Sequence, residues 1–414
     1  MAHLGERIPS LRVQRVEGAA VVVVRVWLPG GVRSESIPGQ ALIAGRMLAE
    51  GTKRRDWRRI SEDAEAIGCS VVTAAGRSVQ AVALDGMTAE WPQLLEWAAE
   101  LVYEGSFPAD RCEWLRRQAA AELQSLGDLP EVRTGWAFLE QLYPDHPLGR
   151  PIQGSSEGLA RLTVGDCRSF HRHCLAAGPL VAVAGDLSPD VVGSRLESLF
   201  AANGAKVASD ADEVREGLAT APAAPTERYR RIDLAPGDQA HLFVGGLTVG
   251  RRHPDFEALL LLGVVLGSGD GLVGRIPQRI REEAGLAYAC DVETVAAAGL
   301  DIGHFVVSLG TSVDTLDSAL VAVRDELERI RLDGPTESDV DEARSYLLGR
   351  EPFRRETADQ WADLLLQGSL LQVPAENQRW VQERLQHVSV SQVREVARRY
   401  LDPECQVVTL GVPA

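Results

Sequence analysis

Hydrophobic and polar positions follow the same order along the two halves of the chain. Near the start of each half is an apolar run, Val21–Leu28 in the first half and His241–Leu247 in the second. Glycines near both runs indicate strands. An apolar helix, a polar helix and a long amphipathic helix are then predicted in each half. They are Ala41–Ala49, Trp57–Gly68 and Glu90–Tyr103 in the first half, and Phe256–Leu266, Arg279–Gly285 and Leu316–Ile330 in the second.

The closing segments of the two halves match most closely. Leu162–Leu187 and Val388–Pro413 align without a gap, and the alignment pairs Val181 with Val407. Each copy has the pattern of a helix, a short turn and a buried strand. Because several matching stretches occur in the same order, duplication explains the pattern better than coincidence. We therefore expect Val181 and Val407 on equivalent strands.

The order of these elements predicts an α+β fold. Paired strands, then helices and a returning strand indicate two duplicated domains, each a mostly antiparallel sheet with helices on one face. The Ala-, Pro- and Thr-rich stretch Ala219–Thr226 has no amphipathic period, which is typical of a linker. The predicted domains are residues 1–208 and 229–414, with residues 209–228 between them.

Composition excludes several classes of protein. A chain of 414 residues exceeds what one hydrophobic core usually serves. A net charge of −16 argues against a nucleic-acid partner. There is no apolar run long enough to span a bilayer and no stretch resembling a signal peptide, so we expect a cytoplasmic protein without a membrane partner. The six scattered cysteines are expected to be buried thiols in a reducing compartment.

One glycine motif suggests a nucleotide site. Gly269–Gly274 has the spacing G-x-G-x-x-G, and Glu293 lies at about the distance of a ribose-binding acid. A dinucleotide site requires a strand before the motif, whereas the run Asp255–Leu266 is predicted to be a helix. A dehydrogenase is therefore disfavoured, and a nicotinamide-binding test would discriminate it.

Hydrolytic motifs are scarce along the chain. There is no H-E-x-x-H, and no two histidines stand four residues apart. His171 and His173 point in different directions on a helix, so they cannot share a metal ion. Surface or capping roles are expected for both.

The segment Gly39–Thr52 resembles the signature helix of the insulinase, or pitrilysin-type, zinc peptidases. Leu42 and Arg46 stand where that family has two zinc-binding histidines, and Gly45 stands where it has the general-base glutamate. Glu122 corresponds to the family's third ligand. An alkyl chain and a guanidinium cannot coordinate zinc, so no metal is expected in this chain. We expect Arg46 to pair with Glu122 instead.

The second half resembles the same family at a different motif. Arg281–Tyr288 is similar to the family's R-E-x-x-G-L-A-Y block, whose arginine and tyrosine hold the substrate backbone and stabilise the tetrahedral intermediate. The resemblance implies these catalytic roles for Arg281 and Tyr288. Without the resemblance, the better interpretation would be that Arg281 forms an ion pair at a helix end and that Tyr288 packs in a strand.

Two further segments extend the resemblance over nearly the whole chain. Gly267–Arg275 stands where the family has L-G-G-G-x-S-R-L. In the α-type subunit of mitochondrial processing peptidase a longer glycine-rich loop at this place contacts substrate, which implies substrate-binding roles for Gly269 and Gly271. Tyr143–Gly149 is similar to the family's Y-x-x-H-P-x-G, where His146 is expected to stabilise a loop.

The resemblance implies a non-zinc-binding subunit of a heteromeric peptidase, with the fold shared by LuxS and mitochondrial processing peptidase and forming half of a clam-shell. The chain would be inactive alone. Its partner would be a homologue with an intact H-x-x-E-H motif and bound zinc, and its substrate a flexible peptide. A non-enzymatic scaffold or a peptide-binding homologue is the alternative.

Overall fold

The computed structural model describes residues 10–202, 222–269 and 274–414. The chain forms two compact units, and each unit draws on both halves of the sequence. The first comprises Met1–Leu123, Pro151–Ala219 and Pro352–Gln378, and the second Gln124–Arg150, Thr220–Glu351 and Arg379–Ala414. Most of the predicted linker, residues 209–221, lies outside the described residues, so the predicted domain limits stay a prediction. No helix in the described ranges is long and apolar enough to cross a membrane.

Each unit is built on one five-stranded sheet. The strand orders are β1-β5-β2-β4-β3 and β6-β10-β7-β9-β8. β1 runs parallel to β5, and β6 runs parallel to β10. All other neighbouring strands are antiparallel. The strands are β1 (Leu11–Arg15), β2 (Val21–Pro29), β3 (Ser70–Ala75), β4 (Val79–Met87), β5 (Leu180–Gly185), β6 (Tyr229–Leu234), β7 (Gln239–Leu247), β8 (Cys290–Ala296), β9 (His304–Ser312) and β10 (Val407–Pro413).

Helices surround both sheets, and the α+β class predicted from the sequence is confirmed. In chain order they are α1 (Gln40–Arg46), α2 (Trp57–Ala66), α3 (Trp91–Tyr103), α4 (Ala109–Gly127), α5 (Pro130–Leu142), α6 (Ser156–Arg161), α7 (Val164–Ala176), α8 (Pro189–Ala202), α9 (Phe256–Leu266), α10 (Arg275–Pro277), α11 (Leu316–Asp333), α12 (Glu337–Arg350), α13 (Ala358–Leu371), α14 (Gln378–Gln386) and α15 (Val390–Tyr400). The helix predicted at Arg279–Gly285 differs from the structure, because α10 passes into a π-helical turn, Gln278–Glu283.

The two sheets confirm the duplication. Val181 lies on β5 opposite Val26 of β2, and Val407 lies on β10 opposite Gly245 of β7. β5 and β10 also occupy the same place in their sheets, next to the first strand of each. The two segments that align in the sequence therefore have equivalent positions in the fold.

The alternating pattern of β2 explains how the first sheet carries two cores. Val22, Val24 and Val26 pack with the helices of the first half on one face. Val23 points to the other face, because successive side chains of a strand alternate. Both faces of the strand are buried, so both must be covered by other elements.

The helix that covers this second face comes from the far end of the chain. Leu365 and Leu366 of α13 pack against Leu180 and Ala182 of β5. Arg25 of β2 is 8% exposed and pairs with Asp359 of α13, as well as with Asp85 of β4 at 2.5 Å. An apolar contact and an ion pair thus attach a C-terminal helix to an N-terminal sheet.

The second unit has the reciprocal arrangement. Phe138 and Leu142 of α5 form a buried cluster with Val407 of β10. Gln141 of the same helix accepts a hydrogen bond of 2.5 Å from the hydroxyl of Thr409. Each half of the sequence therefore contributes one helix to the sheet that the other half forms.

Candidate functional site

The helix that resembles a zinc-binding helix is part of the core of the first unit. Residues 40–45 of α1 are buried. Leu42 is 6% exposed and packs in the main hydrophobic cluster of that unit. A histidine at this position would bring a polar ring into an apolar core, where an unpaired polar group is costly.

Gly45 marks a close approach between α1 and β3. A Cβ atom at this position would lie 2.8 Å from the carbonyl oxygen of Ala74 and 3.2 Å from the Cβ of Ala75. The nearest of these atoms belongs to the backbone, so a side chain fits only if helix and strand move apart. The place of the general base is therefore closed to any residue larger than glycine.

Arg46 and Glu122 form the ion pair predicted from the sequence. Nη1 of Arg46 donates to Oε1 of Glu122 at 3.0 Å, and Nη2 donates to Oε2 at 2.8 Å. Two parallel hydrogen bonds between a guanidinium and a carboxylate are the strongest form of this pair. The side chains are 26% and 33% exposed, so solvent screens the attraction in part.

A second ion pair attaches the same segment to the other end of α4. Arg111, near the start of that helix, donates from Nε to the carboxylate of Glu50 at 2.5 Å. Its guanidinium lies 4.6 Å from the ring centroid of Trp57 and 4.3 Å from that of Trp114. Such stacking favours a cation over the aromatic faces.

These residues do not fit a zinc ion. The cation at the place of the metal is the guanidinium of Arg46, and it already neutralises the carboxylate that would be a ligand. Within the described ranges there is no group of three or more His, Cys, Asp or Glu side chains that could hold a metal.

The structure corrects two expectations about polar side chains. His171 was expected at the surface or at a cap, but it is 6% exposed, and its Nε2 lies 2.8 Å from the carbonyl oxygen of Val102. Burial lowers the pKa of His171 below its ordinary value. Of the six cysteines expected to be buried, Cys405 is exposed.

Arg281 and Tyr288 lie side by side in the second unit. The guanidinium carbon of Arg281 is 5.9 Å from the centroid of the Tyr288 ring. Tyr288 is 91% exposed and the side chain of Arg281 is 35% exposed. A tyrosine so exposed gains little from packing within its own unit. Nε of Arg281 lies 3.3 Å from Oε1 of its neighbour Glu282, so the arginine has an ion-pair partner at the surface. Both side chains are open to solvent.

The backbone between these two residues is fixed by specific contacts. The amide of Leu286 donates to the carbonyl of Ile280 at 2.8 Å, and the hydroxyl of Thr311 donates to the carbonyl of Leu286 at 2.6 Å. Gly285 has φ +61°, a conformation that favours glycine. The chain therefore reverses at Gly285, which brings Tyr288 back beside Arg281.

The glycine-rich segment is described only in part. Gly269 is exposed with φ +135°, and a Cβ there would lie 2.7 Å from the hydroxyl oxygen of Tyr346. Gly271 lies outside the described residues. The segment before this motif is the helix α9, so the strand that a dinucleotide site requires is not there.

Part of the chain matches a known protein family. The model of the family described as "Peptidase M16 inactive domain" matches residues 161–347. The resemblance to insulinase-type peptidases is thereby confirmed, and the matched segment includes the Arg281–Tyr288 block.

Relatives named as a zinc protease and as a processing-peptidase subunit match most of the chain. An uncharacterized zinc protease from Mycobacterium leprae is 25% identical over 98% of this chain and 90% of its own length. A probable mitochondrial-processing peptidase subunit beta from Arabidopsis thaliana is 25% identical over 95% of this chain and 75% of its own length. The similarity therefore extends well beyond residues 161–347.

Solved structures show the same fold. A peptidase M16 inactive domain from Pseudomonas fluorescens has a TM-score of 0.86 and 22% identity, and covers 98% of this chain and 95% of its own. A protease from Helicobacter pylori has a TM-score of 0.83 and 17% identity over 97% of this chain and 96% of its own. At these identities the likeness concerns the fold alone.

Sequence reasoning missed an ion pair that lies a few residues before the Arg281–Tyr288 block. Arg275 donates from Nε to Oε1 of Glu326 at 2.8 Å, across 51 positions of the sequence. Glu326 is 3% exposed. The one signal in the sequence was that Glu326 stands among the apolar positions of the amphipathic helix α11. A carboxylate that is buried there requires a partner.

Proposed function

We propose that the chain is the non-zinc-binding subunit of a heteromeric insulinase-type peptidase. Its M16 inactive-domain match and its relatives named as zinc proteases support a peptidase-like chain. The partner in this proposal is a homologue with an intact H-x-x-E-H motif, which supplies the zinc, the general base and the water. Such a zinc ion would polarise the scissile carbonyl and activate the water.

The observation that carries the proposal is a contrast between the two motifs. At the metal motif, the Gly45 position is closed and Arg46 occupies the place of the ion. At the second motif, Arg281 and Tyr288 are adjacent and open to solvent. A scaffold would have no chemical use for a guanidinium and a phenol held together at its surface.

The two exposed side chains suit the chemistry of amide hydrolysis. The hydroxyl of Tyr288 can donate to a carbonyl oxygen as negative charge develops on it. The guanidinium of Arg281 can donate to carbonyl oxygens of an extended peptide and adds positive charge to the same place. The substrate-binding roles of Gly269 and Gly271, the clam-shell arrangement and the cytoplasmic location remain predictions from the sequence.

The test is peptide cleavage by the assembled pair. Tyr288→Phe, which removes only the hydroxyl, should reduce turnover of a flexible peptide by roughly 10²–10³-fold, as loss of an oxyanion donor typically does. Arg281→Ala should also reduce it. Assembly, followed by size-exclusion chromatography, should be unchanged by either substitution.

Two outcomes would contradict the proposal. Full activity of a pair that carries both substitutions would remove the role of Arg281 and Tyr288. Absence of any zinc-bearing homologue that binds this chain would instead favour the scaffold or the peptide-binding homologue.

A further inference from the structure

The helical turn that carries Arg281 is supported on one side only. Ile276 and Ile280 are fully buried and attach it to the core of the second unit. The other side borders a cavity of about 390 Å³, which is lined in part by Arg275, Gln278 and Asp339. Apolar packing alone therefore does not define the orientation of the turn.

The turn also has an uncommon backbone geometry. Gln278–Glu283 is π-helical, a form that is rare and often found at functional sites. It follows Gly274, whose φ is +133° and where a Cβ would lie 2.3 Å from the Cα of Gly267. A turn of this kind keeps its place only where the surrounding structure holds it.

The ion pair between Arg275 and Glu326 provides such a contact. Glu326 is almost completely buried on α11, and each of its oxygens accepts a bond from an arginine: Oε1 from Arg275 at 2.8 Å and Oε2 from Arg329 at 3.0 Å. Arg275 is the first residue of α10, directly before the π-helical turn. The carboxylate thus attaches the beginning of the turn to a long, well-packed helix.

We propose that Glu326 is a positioning residue, which acts through Arg275 to hold Arg281 beside Tyr288. This inference rests on the proposed function, because it concerns the same pair of side chains. Glu326 itself touches no substrate. Its loss should shift the turn toward the neighbouring cavity, and displacement of a substrate-binding group by about 1 Å can reduce turnover strongly.

The test is a double-mutant cycle in the complex of this chain with its zinc-bearing homologue. Glu326→Gln keeps the size of the side chain and removes its charge. In the wild-type background it should reduce kcat/KM for a flexible peptide by about tenfold, within the range that misplacement of a catalytic group produces. In the Arg281→Ala background the same substitution should change kcat/KM by less than about threefold, because residues that act as one unit are not additive.

Glu328→Gln is the matched control. Glu328 lies on the same helix and also pairs with an arginine three residues on, Arg331, at 2.6 Å, but it has no contact with Arg275. This control should leave kcat/KM unchanged in both backgrounds. A second variant, Arg275→Lys, keeps the cation but loses the planar guanidinium, and serves if Glu326→Gln fails to fold.

The outcomes separate the two proposals. If Arg281→Ala leaves the activity intact, the proposed function fails. Suppose instead that Arg281→Ala reduces the activity. If Glu326→Gln then leaves kcat/KM unchanged like the control, or if its effect on kcat/KM is the same in both backgrounds, the positioning role fails and the proposed function stands. The same reasoning applies to Arg275→Lys.

Discussion

Replacement of Gly45 by alanine tests whether there is room for a side chain at the position where the family has its general-base glutamate. The added Cβ would meet the carbonyl oxygen of Ala74 at 2.8 Å, and helix and strand must separate to relieve this contact. Overpacking of this kind costs about 1–3 kcal/mol. Alanine in a helix gains about 1 kcal/mol over glycine, so a net loss of about 1 kcal/mol is expected.

Gly193→Ala is the matched control in the same unit. Gly193 lies within α8, and a Cβ there would have no neighbour within 4 Å. This variant should gain about 0.5–1 kcal/mol, since only the helix preference changes. The two variants should therefore differ by about 2 kcal/mol, or roughly 4–8 °C in the unfolding midpoint of a unit of this size.

Differential scanning calorimetry of the full chain measures both midpoints under one condition. We expect the midpoint of Gly45→Ala below that of the wild type and the midpoint of Gly193→Ala above it. If Gly45→Ala is as stable as Gly193→Ala, the close approach of α1 to β3 is wrong. The claim that a glutamate cannot occupy this position would then be lost as well.

Three further predictions concern stability. Glu257 is 4% exposed and pairs with Arg251 at 3.0 Å and Arg384 at 2.5 Å. In urea denaturation Glu257→Gln should cost about 3 kcal/mol, since it removes the buried negative charge that both arginines share. Glu383→Gln, which breaks the exposed pair with Arg379, should cost less than about 0.5 kcal/mol, and equal losses would refute the distinction. Because burial lowers the pKa of folded His171, only the unfolded chain takes up this proton as the pH falls below about 6.5, so stability should decline below that pH. In urea titrations His171→Gln should flatten this decline, and an unchanged pH profile would exclude His171 as its source. Leu365→Ala on α13 should cost about 2–4 kcal/mol and accelerate hydrogen exchange on β5. An effect confined to the second unit would contradict the packing of α13 against β5.

Much of the fold follows from local patterns. The apolar runs at β2 and β7 and the glycines near them indicate strands, and the predicted helix α9 has the same limits in the structure. The aligned closing segments indicate equivalent strands because a duplicated pattern buries the same positions twice. These features depend on residues that are close together along the chain, so a single sequence is enough to predict them.

The remaining features depend on contacts between distant residues. The amphipathic patterns of α5 and α13 indicate that each helix packs on something, but they do not identify the sheet. The π-helical turn before Tyr288 lacks a periodic signal. The ion pair between Arg46 and Glu122 was predictable only because the family resemblance placed both residues at one site. No resemblance placed Arg275 and Glu326 together.

We propose that this chain cannot hydrolyse peptides alone and that it completes the active site of a zinc-bearing homologue. The most direct measurement is the hydrolysis of one flexible, fluorescence-quenched peptide by this chain alone, by the homologue alone and by their mixture, each with and without chelator. We predict chelator-sensitive cleavage by the mixture and none by this chain by itself. Chelator-sensitive cleavage by the purified chain alone would contradict the account.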